Sequence, residues 1–264
     1  MTAWTTRVLD TDGERIQYET AGDGEQTVVF CHGLGGNHAI WYQQVPVFAR
    51  RFSVMTWSQR GFGYSTDDAG VSSPAAAVRD LDALLDHLGI ERAHLIGQSM
   101  GGWAVLGYAL HAPSRVRSLA ICDSTAGVTT ERMRELRGAS AQRLPEAAIG
   151  AHPAIGDDLR REDLTKAFLY QQLGGFQRVD PAKMIGHLMS TNYPLDEIRA
   201  LDLPVLFVVG SEDELIPPTL VHEAATVFGD ARVVEIERAG HSPYFERPDV
   251  WNETVLAFLR SVSE

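Results

Sequence analysis

Ala93-His94-Leu95-Ile96-Gly97-Gln98-Ser99-Met100-Gly101-Gly102 is the stretch that decides the fold of this chain. It reads as a short apolar strand, a sharp turn carrying Ser99, and a helix continuing over 103–110. The turn fits Gly-x-Ser-x-Gly, a nucleophile elbow. A serine at the tip of a strand-to-helix turn sits in strained backbone, with the residues two places away on either side pressed together. Gly97 and Gly101 bring no Cβ to that contact. The turn lifts the Ser99 hydroxyl above the sheet and aims the first free amides of the helix at the same point, where negative charge is favoured. The pattern alone recurs by chance. An apolar strand before it and a helix after it make it informative.

On both sides of the elbow, strands alternate with helices. Thr27-Val28-Val29-Phe30-Cys31 is a continuous apolar run of the kind buried on both faces. It enters the glycine loop His32-Gly33-Leu34-Gly35-Gly36. A hairpin precedes it, with Arg7-Val8-Leu9 and Arg15-Ile16-Gln17-Tyr18 around Thr11-Asp12-Gly13. A helix is expected over 40–49, a strand over 52–57 and a glycine-punctuated loop over 58–65. In the next helix, 74–88, Val78, Leu81, Leu85 and Leu88 fall at helical spacing before Gly89. Beyond the elbow the reading gives strands at 116–122, 204–210 and 231–236, and helices at 218–228 and 250–262. Such alternation predicts βαβ units and an α/β fold built on a mostly parallel sheet. The rhythm lapses over 124–194, which is rich in Arg, Ala, Glu and Leu and broken by Pro145, Pro153, Gly174-Gly175 and Pro181. Three or four short helices are expected there, as an insertion on a core made of 1–123 and 195–264.

Charge narrows the partners. The 35 Asp and Glu residues outnumber the 23 Lys and Arg, for a net charge of −12. There is no basic stripe, so nucleic acid is not an expected partner. No stretch approaches the ~20 apolar residues of a membrane span, and the first residues hold no apolar run of signal-peptide length. A cytoplasmic protein with no membrane partner is the expectation. Cys31 and Cys122 each end an apolar run and are expected to be buried free thiols.

A serine hydroxyl is a weak nucleophile unless a base takes its proton, a third group orients that base, and donors hold the oxyanion. An elbow expects these in the chain order Ser, then Asp or Glu, then His. His241 follows Ala239-Gly240 after the last strand, at the carboxyl edge of the sheet. It is the candidate base among nine histidines. His87, His94, His111 and His222 read as packed or solvated, His152 and His187 fall in the insertion, and His32 is expected to brace the glycine loop. Asp213, in Gly210-Ser211-Glu212-Asp213-Glu214, is the candidate acid. Glu212 and Glu214 compete with it, and Asp123, just after the preceding strand, is the serious rival. The oxyanion donors are expected to be the backbone N–H of Met100 and of Leu34.

With these elements assembled, the chain resembles the α/β-hydrolase fold family along almost its whole length. The resemblance rests on His32-Gly33, Arg60-Gly61-Phe62-Gly63-Tyr64-Ser65, residues 97–102, Asp213 with Pro217, and Gly240-His241. It implies an eight-stranded, mostly parallel sheet with helices on both faces and a helical cap over 124–194. It also implies a catalytic Ser99, Asp213 and His241, and no metal or organic cofactor. In the family's strand order, Cys31 and Cys122 flank the elbow strand, two spacings of ~4.8 Å apart and too far for a disulfide. The chain departs from the family's pattern at Ser58, where Asp is usual. Altered local hydrogen bonding is expected there, not lost catalysis. A serine nucleophile argues against the epoxide hydrolases and haloalkane dehalogenases of this fold, which use a carboxylate.

The leading expectation is a carboxylesterase or enol-lactonase-like hydrolase acting on a small-molecule ester or lactone. A carbon–carbon bond hydrolase for meta-cleavage products and a cofactor-free haloperoxidase or perhydrolase stay open. So does a slow-turnover small-molecule receptor, since fold does not decide between these. Phe168, Leu169, Tyr170, Phe176, Met184 and Met189 are expected mostly to pack cap against core. Arg132, Arg134, Arg137, Arg143, Arg160, Arg161 and Arg178 are expected mostly in solvent, and one turned inward would suit a substrate carboxylate.

Overall fold

Eight strands form one sheet in the order β1-β2-β4-β3-β5-β6-β7-β8 in a computed structural model that describes residues 4–137 and 148–263. The strands are β1 (Trp4–Thr11), β2 (Glu14–Ala21), β3 (Thr27–Cys31), β4 (Ser53–Trp57), β5 (Ala93–Gln98), β6 (Val116–Cys122), β7 (Val205–Gly210) and β8 (Ala231–Ile236). β1 and β2 form the antiparallel hairpin, β2 lies antiparallel to β4, and every later pairing is parallel. The chain reverses direction of travel from β3 outward, so the carboxyl ends of β5, β6 and β7 open on one edge.

The apolar runs bury both faces because neighbouring side chains on a strand point to opposite sides. Val29 and Cys31 join Leu95, Ile121 and Phe207 on one face, while Val28 and Phe30 join Ile96, Ala120 and Val208 on the other. The first face is covered by α2 (Pro74–His87), α3 (Met100–His111) and α9 (Pro218–Ala225), through Leu81, Leu85, Leu106 and Val221. The second is covered by α1 (Val45–Phe48) and α11 (Pro248–Ser261), through Phe48, Trp251, Val255 and Leu259. Cys31 pairs across from Gly97, and Gln98 across from Cys122, so the two cysteines flank β5 as buried free thiols.

Between β6 and β7 the described residues form α4 (Glu131–Arg137), α5 (Asp157–Glu162), α6 (Leu164–Leu173), α7 (Pro181–Ser190) and α8 (Leu195–Arg199), and no strand. Pro145 and Arg143 lie outside the described residues. Gly174-Gly175 and Pro181 do separate two helices, and Pro181 opens α7 behind Asp180, whose side chain caps the Ala182 N–H. The packing expected of the insertion's large side chains holds for Tyr170 and Met184 only. Phe168, Leu169, Phe176 and Met189 are 40–56% exposed, because helical spacing groups residues by face without saying which face docks.

The expected helix over 40–49 is also two pieces. A 3₁₀ turn over His38–Trp41 is capped by Asn37, and α1 follows separately. Between them the Gln44 amide is turned into the interior, where it donates to the Tyr244 carbonyl and to Asn252. A short helix missed by hydrophobic period, α10 (Pro243–Glu246), follows the His241 loop.

The loop 58–65 is fixed by an interior ion pair. Arg60 Nε and Nη2 each lie 2.7 Å from an oxygen of Asp80 on α2. Burial pushes the Asp80 carboxyl up, and the Arg60 guanidinium works against that push. Truncating one member of such a pair strands the other charge, so Asp80→Ala is expected to cost about 3–5 kcal/mol. The urea midpoint reads this; a midpoint equal to wild type would show the pair to be dispensable. At Ser58, the hydroxyl accepts the His38 main-chain N–H at 3.2 Å and meets His38 Nδ1 at 2.9 Å.

Candidate active site

Ser99 sits between β5 and α3 at φ 48° and ψ −117°, a left-handed conformation that side chains rarely adopt. The glycines around it are sterically required. A Cβ on Gly97 would lie 2.4 Å from the Gly101 carbonyl oxygen, and one on Gly101 would lie 2.1 Å from the Cys31 carbonyl oxygen. The strain is held from both sides, since the Ser99 N–H donates to Cys122 O and the Ser124 hydroxyl donates to Ser99 O, each at 2.8 Å. Met100 opens α3, so its N–H is among those with no acceptor in their own helix. The loop 33–36 is seated on the same turn: a Cβ on Gly33 would lie 3.1 Å from Ser99 Cβ. That brings the Leu34 and Met100 segments to one place.

His32 braces this loop. The Gln59 N–H donates to His32 Nε2 at 3.0 Å, which places the ring proton on Nδ1, donated to Gly33 O at 2.8 Å. Burial holds His32 down to about 4, so it stays neutral and is occupied at both nitrogens. Elsewhere His87 meets the Tyr18 hydroxyl, His94 bridges Ser118 and Gln26, and His222 pairs with Glu235 at the surface.

His241 and Asp213 come together from the loops after β8 and β7. Nδ1 of His241 lies 2.7 Å from Oδ2 of Asp213, and both side chains are buried. Asp213 Oδ1 accepts the Leu215 and Ile216 N–H groups, each at 2.9 Å. Those amides fix the carboxylate, which in turn makes Nδ1 the donor and turns Nε2 away from Asp213. Gln98, next to Ser99, donates its side-chain N–H to His241 O at 2.9 Å and ties the elbow to the His241 loop.

Asp123 lies behind this pair. It is fully buried at φ 48°, Oδ1 accepts the Gly210 N–H at 2.9 Å, and Oδ2 has no partner among the described residues. Burial, and then the charge of Asp213, push its carboxyl well up. Asp123 therefore favours its protonated form. Asp123, Asp213 and His241 place donor atoms within 4.8 Å of one another, the one such cluster among the described residues. Nδ1 of His241 and Oδ2 of Asp213 are bonded to each other and both Oδ1 atoms hold backbone amides, so hydrogen bonds account for the closeness of the three groups.

Two further residues shape the site without having been singled out by sequence. Glu246 on α10 accepts the N–H groups of Gly240, Ser242 and Gly156, which pins the insertion to the His241 loop. His152 lines a cleft of about 130 Å³ together with Gly156, Arg160, Glu212, Glu214 and His241. It also lines the small cavity that holds Gly33, Leu34 and Gln98. Glu246 carries the signal of a carboxylate five residues after the candidate base His241. A histidine beside Pro153 in an Ala-rich insertion carries none.

Ser99 in its strained turn, the His241–Asp213 pair and the loop 33–36 thus lie at the same edge of the sheet. Residues 26–173 match a profile described as alpha/beta hydrolase fold. The chain belongs to the α/β-hydrolase family. Residues 185–264 of this α/β-hydrolase also match a profile described as TAP-like protein. It is 29% identical to a provisionally named carbamate hydrolase, RutD, of Azorhizobium caulinodans, covering 94% of this chain and 96% of that one. It is 28% identical to a 2-hydroxy-6-oxononadienedioate/2-hydroxy-6-oxononatrienedioate hydrolase of Paraburkholderia xenovorans, covering 96% and 93%. A thermophilic esterase from Thermogutta terrifontis shares the fold at a TM-score of 0.80, with 24% identity over 99% of each chain. No helix of the described residues is long and apolar enough to cross a membrane.

Proposed function

We propose that this α/β-hydrolase cleaves an uncharged carboxylic ester or lactone through an acyl-enzyme on Ser99. His241 Nε2 takes the Ser99 proton as Oγ attacks the carbonyl carbon. The carbonyl oxygen becomes the oxyanion and is held by the Leu34 and Met100 N–H groups. The tetrahedral species collapses, the carbon–oxygen bond to the leaving group breaks, and His241 returns the proton to that oxygen. Water then repeats the sequence on the acyl-enzyme and releases the acid. Asp213 holds the imidazole tautomer and stabilises the imidazolium without taking the proton. Residues 124–194 act as the cap over this chemistry.

The observation that carries the reading is the 2.7 Å His241–Asp213 bond. It leaves the outer imidazole nitrogen free in a loop tied to the strained Ser99 turn. The cleft beside His241 separates substrate classes. Its lining carries three carboxylates, Asp157, Glu212 and Glu214, and one guanidinium, Arg160, beside the imidazoles of His152 and His241. An anionic acyl chain is disfavoured there by like charge. This favours a neutral ester or lactone over dicarboxylates of the kind named for the Paraburkholderia enzyme.

The test is p-nitrophenol release from p-nitrophenyl butyrate and from mono-p-nitrophenyl glutarate, whose acyl chain ends in a carboxylate. We expect sustained turnover of the butyrate above ~1 per second, and a kcat/KM at least ~10-fold lower for the glutarate. A single burst equal to the enzyme concentration would contradict the proposal and fit a binding protein acylated once. A preference for the glutarate would contradict the neutral-substrate part.

A further inference from the structure

We propose that His152 is a substrate-positioning residue, a fixed neutral hydrogen-bond donor that holds an uncharged second oxygen of the substrate's acyl part between His241 and the 33–36 loop. The inference rests on the ester reading above and names its substrate class more narrowly, as esters or lactones with an ether or carbonyl oxygen near the reacting carbonyl.

His152 is the residue that lines both the cleft at His241 and the cavity at Gly33, Leu34 and Gln98. Its ring is set by two contacts. The Ala154 N–H donates to Nδ1 at 3.1 Å, and the ring meets Tyr170 edge-on with centroids 5.0 Å apart. Tyr170 is itself fixed, its hydroxyl sharing a 2.8 Å hydrogen bond with Ser242, next to His241. An imidazole that accepts at Nδ1 carries its proton on Nε2, at the outer end of the ring. Among the described residues that Nε2–H has no acceptor. Burial, and then His241, hold the imidazole down to about 4, so it offers a proton without bringing a second positive charge beside the base.

A neutral donor among carboxylates suits a neutral acceptor. An anion at the same place would enter a cleft whose lining holds Asp157, Glu212 and Glu214 against the single guanidinium of Arg160. A carbonyl or ether oxygen meets no such repulsion and satisfies the donor. Hydrogen bonding of this kind fixes the orientation of the acyl chain, so its loss acts on substrates that carry the oxygen and spares those that lack it.

The test compares p-nitrophenyl methoxyacetate with p-nitrophenyl butyrate, two esters whose acyl chains differ by an oxygen in place of a methylene. The readout is the ratio of their kcat/KM values in wild type, His152→Asn and His152→Gln, so that intrinsic ester reactivity cancels between enzymes. Asn at 152 keeps an acceptor for the Ala154 N–H in an Asx turn but ends short of the Nε2 position. Gln reaches it. We expect the ratio to fall by about 5- to 10-fold in His152→Asn and to recover in His152→Gln. An unchanged ratio, or equal losses on both esters, would overturn the inference while leaving the ester reading intact. Absence of Ser99-dependent turnover of either ester by wild type would overturn both.

Discussion

Ser99→Ala is expected to lower kcat on p-nitrophenyl butyrate by about 10⁵- to 10⁶-fold, with little change in thermal midpoint. The side chain does nothing for the fold that alanine does not also do. The contacts that hold the strained turn, Ser99 N–H to Cys122 O and Ser124 Oγ to Ser99 O, are main-chain at position 99. On the proposed mechanism, removing Oγ would remove the covalent route and leave the Leu34 and Met100 amides and the His241 imidazole in place, so some rate above background is expected. Burst-free assay of the purified variant against wild type checks this. Retention of more than ~1% of wild-type kcat would mean that another nucleophile carries the reaction.

Asp213→Asn and Asp123→Asn are expected to differ by orders of magnitude, although both acids lie within reach of His241. At position 213 an asparagine carbonyl would keep the Leu215 and Ile216 N–H groups as donors. Its NH₂ would then face Nδ1, which would have to accept. The ring proton would move to Nε2 and the base would be lost, at a cost of ~10⁴ in kcat. At position 123 the protonated acid and the amide are near-isosteres: the carbonyl oxygen keeps the Gly210 N–H and the NH₂ replaces the O–H. Activity within ~10-fold of wild type is expected. Stability gives a second readout with a definite sign. The folded pKa of Asp123 is raised, so the unfolded chain releases this proton first as pH rises past ~3.9. Wild type therefore loses stability from about pH 4 upward until the folded group also ionises. Asp123→Asn abolishes that loss, and its stability relative to wild type should increase with pH over this window. Equal inactivation by the two variants would refute the division of roles.

What sequence shows and hides follows from the range of the forces involved. The elbow was legible because Gly97, Ser99 and Gly101 answer to a local steric demand, readable at two-residue spacing. Strands β3, β6 and β8 begin and end at the residues read from the sequence; β3 and β6 are buried almost throughout, whereas β8, at the sheet edge, keeps Arg232 and Glu235 exposed. Asp213 could be placed in its loop but not separated from Asp123 by spacing alone. Their difference is made by the Leu215 and Ile216 amides on one side and the Gly210 amide on the other. His152 was not legible as a site residue, because its place depends on Gly156 docking against Glu246, a contact 90 residues long in sequence. The broken helix at 40–49 fails for a related reason. Gln44 is polar in pattern yet buried, and its partners Tyr244 and Asn252 lie 200 residues away or more.

The most direct test of the central claim is covalent trapping. Wild type and Ser99→Ala are incubated with diethyl p-nitrophenyl phosphate, digested, and mapped by mass spectrometry. The account predicts one diethylphosphoryl group per wild-type chain, on the peptide containing Ser99, with parallel loss of esterase activity and no adduct in the variant. An adduct on another residue, or full esterase activity surviving in fully modified protein, would contradict it.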